Sequence, residues 1–161
     1  MYDVTPVVKG KNVHFKMPDP ALYEALGYEG MKDLMYRFYD EIYESSIANF
    51  FPQDEEEFAK VKEKNARFFI QLCGGPKVYT ESEGQDLTEY MIRLHDAFSI
   101  YEKSRYEWLG CMEIALRETD IPQELKESFW EYLEAFSKLT VNSFTDGSHY
   151  YSAYTQAIQD D

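Results

Sequence analysis

The stretch that decides the fold reads EEEFAKVKEKNARFFIQLCGGP and covers residues 55–76. Its apolar residues recur at the three- and four-residue spacing of one helix face, which predicts a helix: Phe58, Val61, Phe68, Phe69 and Leu72. Asp54 stands three residues before Glu57, an arrangement typical of a capping box at a helix start. Gly74-Gly75-Pro76 is a strong stop signal. The stretch is therefore a capped, amphipathic helix with a defined end.

Segments on both sides repeat this helical period. Asp19 and Pro20 suit a helix start, and Gly27 predicts the end of that short helix. The next apolar face is formed by Met31, Leu34, Met35, Phe38, Tyr39 and Ile42. Ser99 with Glu102 predicts a second capping box, followed by a stripe of Arg105, Trp108, Leu109, Met112, Ala115 and Leu116. A last helix starts near Asp120 and carries Leu125, Phe129, Leu133 and Phe136.

The segments between and outside these helices are less regular. Residues 77–86 are polar and predict a loop, and Leu87–Leu94 predicts a short helix. No strand pattern is convincing within residues 19–145, so we expect an all-α domain there. Residues 1–18 form an N-terminal arm with a weak strand pattern, and residues 146–161 form a C-terminal tail.

Composition removes several classes of function. The chain has 161 residues, one domain's worth, and a formal net charge of −14 that disfavours nucleic acid as a partner. Its three His and two Cys lack the spacings of zinc-finger or iron–sulfur sites. No apolar run approaches the roughly 20 residues of a membrane span, and the first residues do not resemble a secretion signal. We therefore expect a cytoplasmic protein with reduced thiols.

Four residues do not fit a simple apolar core. Tyr39, Asn65 and Trp108 place polar groups on apolar helix faces, and each unpaired buried group costs about 1–3 kcal/mol. The three groups either pair locally with backbone or converge on a polar pocket, and the sequence leaves both interpretations open. His95 follows a short helix; a lone His is usually structural, but haem needs only one protein imidazole.

Several motifs, taken together and in order, resemble the truncated haemoglobins, most closely their group II. The resemblance covers about residues 20–143 and rests on these strings: YRFY (36–39), FFP (50–52), ARFFIQLCGGP with YTE (66–76 and 79–81), RLHDAF (93–98), WLGCM (108–112) and VNS (141–143). The family fold is a globin-like, truncated two-over-two helical sandwich around a b-type haem, in agreement with the all-α expectation.

The resemblance also implies roles for individual residues. His95 would be the proximal ligand of the haem iron, with Tyr39, Trp108 and Asn65 as distal donors to a bound ligand. The cofactor-binding residues that it implies are Phe51, Val61, Lys64, Phe68, Phe69, Tyr79 and Phe98. Arg67 is an alternative to Lys64 for pairing with a haem propionate.

Three functions remain at this stage. The first is a haem globin that binds O2 and other diatomic ligands, NO and CO among them, at a five-coordinate iron. The second is an enzyme on the same scaffold, a nitric-oxide dioxygenase or peroxidase served by an unidentified reductase, or a haem-based gas sensor. The third is a cofactor-free helical interaction module. The oligomeric state is open, and a homodimer is one option.

Overall fold

A computed structural model describes residues 2–83, 97–150 and 156–160. Five helices account for most of these residues: α1 (Ala21–Tyr43), α2 (Glu55–Leu72), α3 (Val78–Glu83), α4 (Glu102–Arg117) and α5 (Gln123–Ser137). Short 3-10 turns cover Ala48–Phe50 and Lys138–Thr140. Two three-residue strands, β1 (Val13–Phe15) and β2 (Ala157–Gln159), lie near the two chain ends. The described part of residues 19–145 is thus helical, as expected.

Helix α1 combines the two helices expected around Gly27. The first of them ends at Gly27 as expected, because Gly27 has a non-helical backbone with a φ of 71°, in the left-handed region that favours glycine. Asp19 acts as the expected cap, since its Oδ1 accepts the Ala21 N–H at 2.9 Å. The range of α1 therefore contains two helical segments joined by a kink.

Helix α2 confirms the features expected of the deciding stretch. Asp54 Oδ2 accepts the Glu57 N–H at 3.1 Å, so the cap is real. After Leu72 the chain turns at Gly74, whose φ is 99°. Gly75 has no room for a side chain, because a Cβ there would lie 2.7 Å from the Ile70 carbonyl oxygen. The glycine pair therefore ends the helix for two different reasons, backbone conformation and close packing.

Two local predictions are wrong. Residues 78–83, expected in a loop, form α3, whose start is held by the Gln71 side chain: its Oε1 accepts the N–H groups of Tyr79 (3.1 Å) and Thr80 (2.9 Å). Ser99 does not cap the following helix, because α4 starts after Tyr101 without any side-chain cap. Glu102 instead accepts a hydrogen bond from Arg105 at 2.7 Å. The predicted helix over residues 87–94 lies outside the described residues.

Helix α1 lies at the centre of the described helices and packs against α2, α4 and α5. Its fully buried side chains are long and apolar: Leu22, Met31, Leu34, Met35, Phe38 and Ile42. Cys73 and Cys111 are buried free thiols. None of the described helices is both long and apolar enough to cross a membrane.

The N-terminal arm and the C-terminal tail pair with each other. Strands β1 and β2 are parallel, with Val13 opposite Ala157. Phe15 turns inward onto the outer side of α5, its ring centroid 5.9 Å from that of Tyr132 and 5.7 Å from that of Phe136. The two chain ends thus add a layer over α5.

Candidate functional site: an aromatic cavity with convergent donors

A cavity of about 190 Å³ is enclosed by side chains of α1, α2, α4 and α5 and of the segments that follow α1 and precede α4. More than half of its lining side chains are aromatic: Tyr39, Phe50, Phe51, Phe68, Phe69, Phe98, Trp108, Tyr132 and Phe136. Such a lining suits a flat, apolar ligand with a few placed polar groups.

Three helices each bring one polar side chain to this cavity. Tyr39 comes from α1, Asn65 from α2 and Trp108 from α4, and all three line the cavity wall. Neither the Tyr39 hydroxyl, the Asn65 amide nor the Trp108 indole N–H has a hydrogen bond to any described residue. The sequence left open whether these groups pair locally or converge, and the structure shows that they converge.

Neighbouring rings hold two of these donors in place. The Phe38 ring lies edge-on to both Tyr39 and Trp108, with centroids 5.0 and 5.1 Å away. Phe51 and Phe58 contact the Tyr39 ring from other sides, at 6.0 and 6.5 Å. Tyr39 is only 4% exposed, and burial raises its pKa far above the usual value. The hydroxyl is therefore a protonated, oriented donor.

The apolar residues expected to contact a cofactor fall into two groups. Phe51, Phe68, Phe69 and Phe98 line the cavity, and Phe98 is 42% exposed. Tyr79 does not line it; the residue is completely buried, and its ring lies edge-on to Phe68 at 5.4 Å.

Three other residues expected at the site lie away from the cavity wall or outside the described chain. Val61 is half-buried on α2 and does not line the cavity. Lys64 is also outside the lining, with its Nζ 4.0 Å from a Glu83 carboxylate oxygen. His95 lies outside the described residues.

Arg105 is a cavity residue to which the sequence analysis assigned no role. Its side chain is completely buried and lines the cavity one helical turn before Trp108. Each of its five N–H groups has a partner: Nε donates to Ser137 Oγ (2.9 Å), Nη1 to the Thr5 carbonyl (3.1 Å) and Glu102 Oε1 (2.7 Å), and Nη2 to the Glu134 carbonyl (2.6 Å) and Oε1 (3.0 Å). The feature of the sequence that could have identified it is an arginine on an otherwise apolar helix stripe.

Glu134 is one of two carboxylates that pair with this arginine, at 3.0 Å, and Glu102 is the other, at 2.7 Å. Burial acts to raise the pKa of Glu134, but hydrogen bonds from the Thr5 N–H and hydroxyl and the charges of Lys138 and Arg105 outweigh it, so the pKa is lowered. The carboxylate is therefore ionised near neutral pH, and the buried arginine charge is compensated.

Comparisons with known proteins identify the family of this fold. The family model for the bacterial-like globins matches residues 21–142. The group 2 truncated haemoglobin YjbI of Bacillus subtilis is 31% identical over 123 residues, which cover 76% of this chain and 89% of that protein.

Solved structures give the same result. The phosphate-bound Hell's gate globin IV superposes with a TM-score of 0.74 at 28% identity, covering 88% of this chain and 86% of its own. The truncated oxygen-avid haemoglobin of Bacillus subtilis gives 0.67 at 29% identity, covering 75% and 98%.

The fold and the family match together define a globin. This chain belongs to the bacterial-like globin family and, within it, to the truncated haemoglobins, and its matches include group II members. The family implies a haem cofactor and the binding of diatomic gases. The cavity fits such a group, because its aromatic rings suit a porphyrin and three of its donors have no partner among the described residues.

Proposed function

We propose that this chain is a globin that holds a b-type haem within residues 19–145 and binds O2 and other diatomic ligands, such as NO and CO, at a five-coordinate iron. His95 is the proposed proximal ligand. The observation that carries the proposal is the convergence of Tyr39, Asn65 and Trp108, without protein partners among the described residues, on an aromatic cavity. A few polar groups that converge on an apolar cavity are typical of a binding site for a ligand with a polar end.

The haem supplies an iron at which a diatomic gas binds. This chain's own residues then decide how firmly that gas is held. The Tyr39 O–H and the Trp108 N–H donate to the ligand oxygen, where negative charge accumulates in O2, and a water-poor cavity strengthens both bonds. Asn65 adds a third donor from α2. Three donors favour slow release, in line with the relative described as oxygen-avid.

The remaining residues hold the cofactor in this proposal. Phe51, Phe68, Phe69 and Phe98 pack against the porphyrin, and Tyr79 supports Phe68 from behind. Val61 leaves space at the ligand entrance. Lys64 pairs with a propionate, which requires it to turn away from Glu83.

The absorption spectrum of the haem-loaded protein tests this function. We expect stoichiometric haem uptake, a Soret band and a shift of that band with CO. His95→Ala should lose the five-coordinate ferrous spectrum. His149→Ala is the matched control, because that residue lies outside the cavity, 2.9 Å from Ser143 Oγ. A wild-type chain that folds without taking up haem would overturn the proposal and favour a cofactor-free interaction module.

A second candidate is the conversion of nitric oxide and O2 to nitrate, with electrons from a separate reductase. The observation in its favour over peroxide chemistry is that the described cavity wall contains no His, Asp or Glu, whereas a peroxidase benefits from a general base near its ligand. Rapid mixing of the O2-loaded protein with nitric oxide should give one nitrate per haem. The absence of nitrate would exclude this activity and leave reversible binding or gas sensing.

A further inference from the structure

Helix α5 has two buried faces. One carries the apolar residues Leu125, Phe129 and Leu133 of the sequence stripe. The other carries Trp130, Glu134 and Ser137, spaced four and three residues apart, which places them on one line along the helix. A helix with two buried faces needs cover on both sides. Residues 2–5 of the N-terminal arm cover the face that carries Trp130 and Glu134.

These arm residues are attached at two points. Near the start, the Trp130 Nε1–H donates to the Asp3 carbonyl at 2.9 Å, and the Tyr2 ring stacks on the indole at 4.8 Å. At Thr5, the backbone is held by both charges of an ion pair: its N–H donates to Glu134 Oε1 (2.9 Å) and its carbonyl accepts from Arg105 Nη1 (3.1 Å). Such charge-assisted bonds are stronger than neutral ones.

The exposure of the three residues at the second attachment point decreases from solvent towards the cavity. Thr5 is exposed, Glu134 is 15% exposed and Arg105 is not exposed at all. Arg105 in turn lines the cavity one turn before Trp108. Other paired Lys and Arg side chains of the described chain expose 18–73% of their surface. Removal of the arm would therefore bring water to a charged group in the cavity wall.

We propose that residues 2–5 seal the α4–α5 side of the cavity against water, and that Arg105 is the positioning residue that holds this seal. The arm lies outside residues 21–142, which the family model matches. A dry cavity strengthens the hydrogen bonds from Tyr39 and Trp108 to a ligand. The arm thus acts on ligand binding without touching the ligand.

The chain's two tryptophans provide the measurement. The Trp130 indole N–H is bonded to the arm, so its exchange with solvent reports arm attachment. The Trp108 indole N–H belongs to a residue of the cavity wall and has no hydrogen bond to a described residue, so its exchange reports how readily water reaches that wall. Both exchange rates can be measured by NMR in the full chain, with or without haem.

Three variants are compared with the wild type. Deletion of residues 2–5 should speed exchange at both indoles, by about tenfold or more at Trp108, the scale expected for lost bonds to a charged group. Arg105→Lys keeps the charge but loses the five-donor fork, and it should speed exchange at Trp108. Lys9→Met is the control, because it removes the arm's contact with Asp146, far from Arg105, and should change neither rate.

The outcome separates a seal from a simple attachment. If the deletion frees the Trp130 signal while Trp108 exchange stays at the wild-type rate, the arm does not seal the cavity and the proposal is wrong. Should Arg105→Lys fail to fold, Thr5→Ala removes the hydrogen bond that the Thr5 hydroxyl donates to Glu134 Oε1 at 2.9 Å and should speed exchange more mildly, and Thr5→Ser should restore wild-type exchange. The measurement does not require haem, so its failure is distinguishable from a failure to bind the cofactor.

Discussion

The cavity wall contains two kinds of polar group. Tyr39, Asn65 and Trp108 have no hydrogen-bond partner among the described residues, whereas Arg105 satisfies all five of its N–H groups. A satisfied group contributes to the fold, and an unsatisfied one indicates a ligand. Burial alone therefore does not identify function, but hydrogen-bond satisfaction within the same cavity does.

The largest effect on stability is expected at Arg105. Arg105→Leu would leave both Glu102 and Glu134 without the buried arginine that pairs with them, and it should lower the free energy of unfolding by about 3–5 kcal/mol, as measured by urea denaturation. Arg117→Leu, at an exposed position of the same helix, should stay within about 0.5 kcal/mol of the wild type. Equal effects of the two variants would contradict the distinction between satisfied and unsatisfied groups.

The largest effect on ligand binding is expected at Tyr39. Tyr39→Phe removes a donor to a partly charged ligand, so O2 dissociation should accelerate by roughly tenfold to a hundredfold, measured by stopped flow. Unfolding free energy should hardly change, because the hydroxyl has no partner among the described residues. Tyr43→Phe is the control one turn later, where the exposed hydroxyl contacts the Gln53 carbonyl at 3.4 Å. A large loss of stability in Tyr39→Phe would show that the hydroxyl serves the fold.

A smaller effect of the same kind is expected at Asn65. Asn65→Leu should speed O2 release by about threefold to tenfold, in line with a neutral hydrogen bond, and should leave the protein equally or more stable. Parallel stopped-flow and denaturation experiments measure both quantities. Unchanged O2 release would remove Asn65 from the set of donors and leave Tyr39 and Trp108.

The smallest effect concerns pH. The pKa of Glu134 is lowered in the folded chain, so its contribution to arm attachment is fully present above the ordinary value of 4.5 and is lost as pH falls through the folded value. The charged groups facing it are Arg105 and Lys138, with Glu102 on the far side of the arginine. The Trp130 exchange rate, divided by the rate of a free indole at the same pH, should rise only in acid, and Glu134→Gln should abolish that dependence.

The sequence predicted those features that depend on neighbours along the chain. The apolar period of α2, its Asp54 cap and its glycine end are local, and all three are confirmed. Predictions based on one residue pair were weaker: Ser99 with Glu102 suggested a cap, but Glu102 pairs with Arg105 instead. The start of α3 depends on the Gln71 side chain from the preceding helix. No pattern of neighbouring residues predicts this contact.

For the site, the sequence by itself determined three unusual polar groups on apolar faces, at Tyr39, Asn65 and Trp108. A fourth polar residue on such a face, Arg105, was not predicted to have a role. Only the tertiary structure decided which of these groups have hydrogen-bond partners, because the partners come from other elements that pack nearby. Three helices leave the first three groups facing a cavity. Thr5 and Glu134, 100 and 29 residues from Arg105 in sequence, surround the fourth, and period and spacing carry no information about such distant partners.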